Sequence, residues 1–216
     1  MSNTKAEEVL VFPRSIFNGV YSLLFWDAVQ DQVDAIETSF AWLNRPEAEI
    51  SDHWVQAIPC AVVRDDEGRC CVLRRIRGES RDDLKGKLSL IIGGHIDEKR
   101  ETASFRMTLT FNLLRELAEE IGLYPQQNPH PIGVIIDASS TAASRHVAFI
   151  HETKANDVSL DAPEEFMLAS KYSGVFMDQT QLVEKIENFD PWSKMLIEDY
   201  VCRDKLERLP RQFALA

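Results

Sequence analysis

Cysteine is scarce: Cys60, Cys70, Cys71 and Cys202 are all that 216 residues hold, and none forms a Cys-x-x-Cys pair. That argues against a disulfide scaffold and against a zinc site, and buried thiols in a reducing, cytoplasmic setting are expected. Long apolar runs are also missing, and none approaches the roughly 18 residues that span a bilayer. The first residues, Met-Ser-Asn-Thr-Lys-Ala-Glu-Glu, carry neither a basic start nor an apolar stretch, so no secretory signal is expected. Basic residues are outnumbered, with 24 Lys and Arg against 35 Asp and Glu and a net charge of −11. Nonspecific nucleic-acid binding and docking on anionic membranes are therefore not expected. Ser139 and Ser140 have no Gly-x-Ser-x-Gly around them, which removes the usual serine-hydrolase signature. Repeats and low-complexity segments are absent. A chain of this length, with 44% hydrophobic and 27% charged residues, is ordinary for one sizeable globular domain with an appendage.

Against that background one stretch stands out, Leu113-Leu-Arg-Glu-Leu-Ala-Glu-Glu-Ile-Gly-Leu123, downstream of the pair Gly93-Gly94. Met107, Phe111, Leu114, Ala118 and Ile121 recur at spacings of three and four and predict one apolar helical face, widened by Leu113 and Leu117. Gly122 follows the last periodic residue, where a left-handed cap ends a helix. At about 100° per residue, Glu119 and Glu120 fall about 60° and 40° to either side of Glu116. Three carboxylates then share the face opposite the apolar stripe. Such a face is either merely solvated or a site for a hard divalent cation, which takes oxygen ligands and leaves positions for water and phosphate. Arg115, to the side, is placed to pair with a carboxylate or a phosphate.

The run Arg115-Glu116-Leu117-Ala118-Glu119-Glu120-Ile121-Gly122-Leu123 resembles the second half of the Nudix box, Arg-Glu-U-x-Glu-Glu-x-Gly-U with U a bulky aliphatic residue, and Gly94 resembles the glycine that opens the box. The first half departs from the pattern. Gly94 and Arg115 lie 21 positions apart, about seven more than in the usual box. The Glu expected between them is missing whether counted from Arg115 (Met107) or from Gly94 (Arg100), and Glu98 and Glu101 are the nearby substitutes. The longer run Gly86-Lys-Leu-Ser-Leu-Ile-Ile-Gly-Gly-His-Ile-Asp97 is similar to a bacterial phosphoesterase-like Nudix subgroup with an elongated box and an N-terminal extension. The resemblance is specific over residues 86–123 and extends loosely over about 52–208.

The rest of the chain reads as follows. Residues 8–12 predict a short strand ended by Pro13, residues 15–43 one or two helices, and Asn44–Glu49 a linker. Residues 1–50 are thus an N-terminal extension, and residues 51–216 the Nudix-like domain. Within the latter, Trp54–Val63 and Cys70–Ile76 form a hairpin around the turn Asp65-Asp66-Glu67-Gly68. Leu88–Ile92, Ile132–Ile136 and His146–His151 read as strands, and Ser104–Ile121 as the box helix. A further strand is expected around Gly174-Val175-Phe176. Asp178 and Asp190-Pro191 open two last helices. The order implies an α/β (α+β) fold with a mixed central sheet covered on both faces, which agrees with the α/β/α sandwich that the resemblance implies.

The resemblance implies a metal-dependent hydrolase acting on a phosphoanhydride in a nucleoside diphosphate derivative or similar small phosphorylated metabolite. Glu116, Glu119 and Glu120, with the carbonyl of Gly94, would hold Mg²⁺ or Mn²⁺, Arg115 would orient the glutamates, and Gly93 and Gly94 would admit the substrate's phosphates closely. Arg74, Arg75, Arg77, Arg81, Lys85 and Lys87 make a locally basic stretch, of which Arg75 or Lys87 would contact phosphate. His95 is a further phosphate-side candidate, and Glu164 or Glu165 a candidate general base. A noncatalytic nucleotide-sensing module is the alternative, and a prenyl diphosphate isomerase, which needs a catalytic Cys, a weaker one. The apolar residues of the extension, Phe17, Val20, Leu24, Val29, Val33, Ile36, Phe40 and Leu43, are expected either to form a homodimer or substrate-closing surface or to pack on their own core.

Overall fold

The computed structural model describes residues 7–17, 22–75, 84–97, 104–141, 143–159, 166–168 and 176–201. Among these residues twelve strands are formed: β1 (Glu8–Pro13), β2 (Ser22–Phe25), β3 (Ala41–Asn44), β4 (Trp54–Arg64), β5 (Cys70–Cys71), β6 (Leu73–Arg75), β7 (Leu88–Ser89), β8 (Ile91–Gly93), β9 (His130–Ile136), β10 (His146–Lys154), β11 (Phe166–Leu168) and β12 (Phe176–Met177). The helices are α1 (Gln30–Glu37), α2 (Arg45–Ala48), α3 (Phe105–Ile121), α4 (Gln179–Glu184) and α5 (Pro191–Leu196), the last continued by a π-helical turn, Ile197–Val201. No helix among these residues is long and apolar enough to cross a membrane.

Nine strands make one mixed sheet, running β12-β5-β4-β10-β9-β2, with β1 and β8 also pairing with β4 and β3 pairing with β1. The β4–β10 pair is parallel over its whole length, and the other pairs are antiparallel. β6, β7 and β11 form a small second sheet. Strand alternation sends the side chains of β4 to two different layers. Ile58, Cys60 and Val62 pack with Leu182, Phe189, Met195 and Leu196 from the α4–α5 side. Val55 and Ala57 pack with Val33, Ile36, Phe105 and Leu109 of α1 and α3, and Ala61 and Val63 with Leu113, Leu117 and Ile121 of α3. Helices on both faces of a mixed sheet are the sandwich that the element order implied.

The first fifty residues differ from expectation. β1 pairs with β4 through Val11–Gln56, and β2 pairs with β9 through Leu23–Ile135, so three strands from residues 1–50 lie in the main sheet. Where one or two helices were expected over 15–43, among the described residues only Gln30–Glu37 is α-helical, because Ser22–Phe25 and Ala41–Asn44 find open strand edges and pairing there outweighs helical preference. Asn44–Glu49 is not a linker: Pro46 sits in the first turn of α2, where its missing N–H has no intrahelical partner to lose. Phe17, Val29, Val33 and Ile36 are buried in the chain's own core, with Leu24 and Phe40 packed against it, which removes much of the exposed surface that suggested association. Val20 lies outside the described residues.

Candidate active site

α3 begins with Ser104 accepting a hydrogen bond from the Met107 N–H and ends at Gly122, whose φ of 62° makes the left-handed cap. Its orientation is not the expected one. The buried line is Phe105, Leu109, Leu113, Leu117 and Ile121, while Met107 is 50% exposed. Glu116 lies on the buried side, so it does not share a face opposite the core-facing stripe with the exposed Glu119. The reason is geometric: successive residues four apart from Phe105 to Ile121 form an unbroken large-apolar row, and that row outweighs the looser one through Met107 and Ala118. Glu116 is thereby carried inward, to 8% exposure, at the wall of a cavity of about 350 Å³.

The glycine pair makes the room. One edge of β4 pairs with β1 through Trp54–Gln56 and with β8 through Cys60–Val62. The chain leaves β8 at Gly93 and runs on through Gly94, His95 and Asp97, which line the cavity. A Cβ on Gly93 would stand 2.0 Å from the Pro59 carbonyl oxygen, and one on Gly94 would stand 2.6–2.7 Å from the Glu116 carboxyl atoms. Only glycine lets backbone lie this close to a strand on one side and a carboxylate on the other.

Arg115 ties this loop to the helix. Its Nη2 donates to Glu116 Oε1 (2.8 Å), Asp97 Oδ1 (2.7 Å) and the His95 carbonyl (3.1 Å), and its Nη1 to Glu119 Oε2 (2.9 Å). Burial pushes the Glu116 carboxyl up to about 7; Arg115 opposes this, and the charges of Glu120, Glu119 and Asp97 add to it. The surroundings thus hold more carboxylate than one guanidinium neutralises, and every donor is a hard oxygen, which suits Mg²⁺ or Mn²⁺. Among the described residues no three His, Cys, Asp or Glu side chains are grouped closely enough to hold a metal ion. Glu119 is turned out to Arg115, with its side chain 59% exposed.

Of the remaining expected residues, Arg75 lines the cavity, whereas Lys87 donates to the Glu187 carbonyl (3.2 Å) and does not line it. His95 lines it with Nε2 buried and without a hydrogen-bond partner; burial, then Arg45 and His146, hold its ring well below the usual range, at about 3. Glu98, Glu101, Arg77, Arg81, Glu164 and Glu165 lie outside the described residues. Cys60 also lines the cavity, but burial, followed by Glu116 and Asp190, raises its thiol far above the range of a nucleophilic thiolate. Sequence reasoning missed Asp97, Asp137, Arg45 and Glu7, all in the cavity wall. Asp97, three residues after Gly94, was within reach of the motif; Arg45 and Glu7 were not, since only the strand pairing of the first fifty residues brings them there.

No protein-family model matches the chain. Protein YmaB of Bacillus subtilis (strain 168) is 27% identical over 205 residues, covering 89% of this chain and 96% of YmaB. The crystal structure of Tm1382, a candidate Nudix hydrolase, superposes with a TM-score of 0.73 over 90% of this chain and 98% of its own, at 20% identity. The chain has the fold of that protein.

Proposed function

We propose that this chain, having the Nudix fold, hydrolyses a phosphoanhydride bond in a nucleoside diphosphate derivative or similar small phosphorylated metabolite with the help of Mg²⁺ or Mn²⁺. The observation that carries the proposal is Glu116, a carboxylate buried at a cavity wall against Gly94 and surrounded by further acids. Arg115 reaches it but is shared with Asp97 and Glu119, so a further cation would stabilise these carboxylates together. Glu116, Glu119 and Glu120, with the Gly94 carbonyl, would hold the ion. When bound, it would neutralise diphosphate charge and acidify a water molecule. Arg115 holds Glu116, Asp97 and the His95 carbonyl in one network and so fixes the loop against the helix. Arg75 faces the cavity, where a phosphate oxygen would meet its guanidinium. The raised Cys60 thiol disfavours the isomerase alternative, whose chemistry needs a reactive cysteine.

Glu119→Gln and Glu120→Gln test the reading. Both sites are at least partly exposed, so the variants should fold normally. Each should lose about a hundredfold or more in turnover, because a neutral amide is a poor ligand for a hard cation. Wild-type rates in both would return the helix to a solvated face. Metal-dependent ligand binding with no turnover by the wild type would instead favour the sensing module.

A further inference from the structure

Among the charged side chains of the cavity wall Glu7, Asp97, Glu116, Asp137 and Asp190 are acidic, and Arg45 and Arg75 are cationic. Arg45 is delivered by the N-terminal segment. It opens α2, and its backbone N–H donates to the Glu7 carbonyl (2.8 Å), which fixes the residue at the end of the β1–β3 pair. Its guanidinium is steadied on one side, where Nε donates to Glu49 Oε1 (3.2 Å) one turn along the helix. On the other side Nη1 donates to both Glu7 oxygens, each at 3.2 Å. Glu7 is the more exposed partner, with 44% of its side chain accessible against 27% for Arg45. Ion pairs this exposed are weak.

We infer that Arg45 binds an anionic group of the substrate, a phosphate or a carboxylate, and that the Glu7 carboxylate occupies this position until such a group displaces it. The inference rests on reading the cavity as the substrate site. A planar guanidinium held from one side by Glu49 presents its remaining donors in a fixed fork, which suits the oxygens of a phosphate. A terminal phosphate carries up to two negative charges against the one of the Glu7 carboxylate, so exchange favours such a ligand. The substrate class is thereby narrowed to molecules with an anionic group that reaches the wall built by the N-terminal segment.

The test is calorimetric titration of the full chain with inorganic pyrophosphate in EDTA, which removes any metal-held contribution. Arg45→Ala should bind at least about tenfold more weakly than wild type and Arg45→Lys should recover part of the loss, whereas Glu7→Gln should bind at least about threefold more tightly. A purely structural ion pair would give losses in both Arg45→Ala and Glu7→Gln, so opposite signs mark an anion site. Wild-type affinity in Arg45→Ala, unchanged or weaker binding by Glu7→Gln, or no binding by the wild type overturns the assignment. Should Arg45→Ala fail to fold, Glu7→Gln must still tighten binding. Turnover of Glu119→Gln with metal is measured separately: its loss alongside an unaltered Arg45→Ala would discard Arg45 and keep the hydrolase reading, and the reverse result would do the opposite.

Discussion

The neighbouring glycines in the cavity wall, Gly93 and Gly94, should fail in different ways. In Gly93→Ala the new methyl meets backbone, 2.0 Å from the Pro59 oxygen and 2.8 Å from the Cys60 Cα. Backbone cannot rotate away, and clearing the contact means moving β8 off β4 by about 1 Å or more, which breaks the Cys60–Gly93 pairing. A loss of about 4 kcal/mol or more is expected, in the range reserved for severe core disruption. In Gly94→Ala the methyl meets a side chain, 2.6 Å from Glu116 Oε1 and 2.7 Å from its Cδ and Oε2. The Glu116 carboxyl can swing aside by several tenths of an ångström, at a cost of about 1–3 kcal/mol in strain and overpacking. That should lower the melting temperature by about 2–12 °C for a chain of this size and leave a folded protein. If Glu116 acts as proposed, its displacement should lower the rate about a hundredfold. The assays are thermal melts and turnover on the same preparations. Wild-type turnover in Gly94→Ala, or a Gly93→Ala variant no less stable than Gly94→Ala, would contradict these roles of the two glycines.

Two other consequences are measurable. With its pKa raised to about 7 in the metal-free fold, against about 4.3 for a free Glu, Glu116 contributes stability that is full below about pH 4.3 and lost as pH rises through 7. In EDTA the melting temperature of wild type relative to Glu116→Gln should therefore fall between pH 5 and 7.5; a flat difference contradicts the burial argument, while the depressed His95 and His151 act with opposite sign in both proteins alike and cancel. Deleting residues 1–48 removes Leu10, Phe12, Val33 and Ile36, all fully buried, and at about 1.5–3 kcal/mol per core side chain the loss rivals the whole stability of a domain. The truncated chain should show no cooperative melt, and a folded truncation would return the segment to an appendage.

What could be read from the sequence and what could not divide along physical lines. Caps were legible because they are local: Gly122, Asp178 and Asp190 each sit where their side chain or backbone freedom required. The strands β4, β9 and β10 were legible because their apolar runs are long and β-branched. The rotation of α3 was not, since two apolar rows compete on that helix and only contact with the sheet chooses Leu109 and Leu113 over Met107 and Leu114. For the same reason the sequence could name Glu116, Glu119 and Glu120 but not that they have unlike environments, one buried and the others at least partly exposed. The contribution of Glu7 and Arg45 to the cavity is set by long-range pairing of β1 with β3 and β4, which has no local signature. The break between β7 and β8 at Leu90, whose N–H is taken by Ser193 Oγ at 2.8 Å, is likewise a tertiary event.

On the proposed function, an ion held at Glu116 drives phosphoanhydride hydrolysis. It is tested most directly by measuring phosphate release from a panel of nucleoside diphosphate derivatives by wild type and Glu116→Gln, with Mg²⁺ or Mn²⁺ and again after EDTA. The expected result is turnover of at least one compound that vanishes in EDTA, returns when metal is restored, and is lost in Glu116→Gln. Undiminished turnover in EDTA, or wild-type turnover by Glu116→Gln, would contradict it.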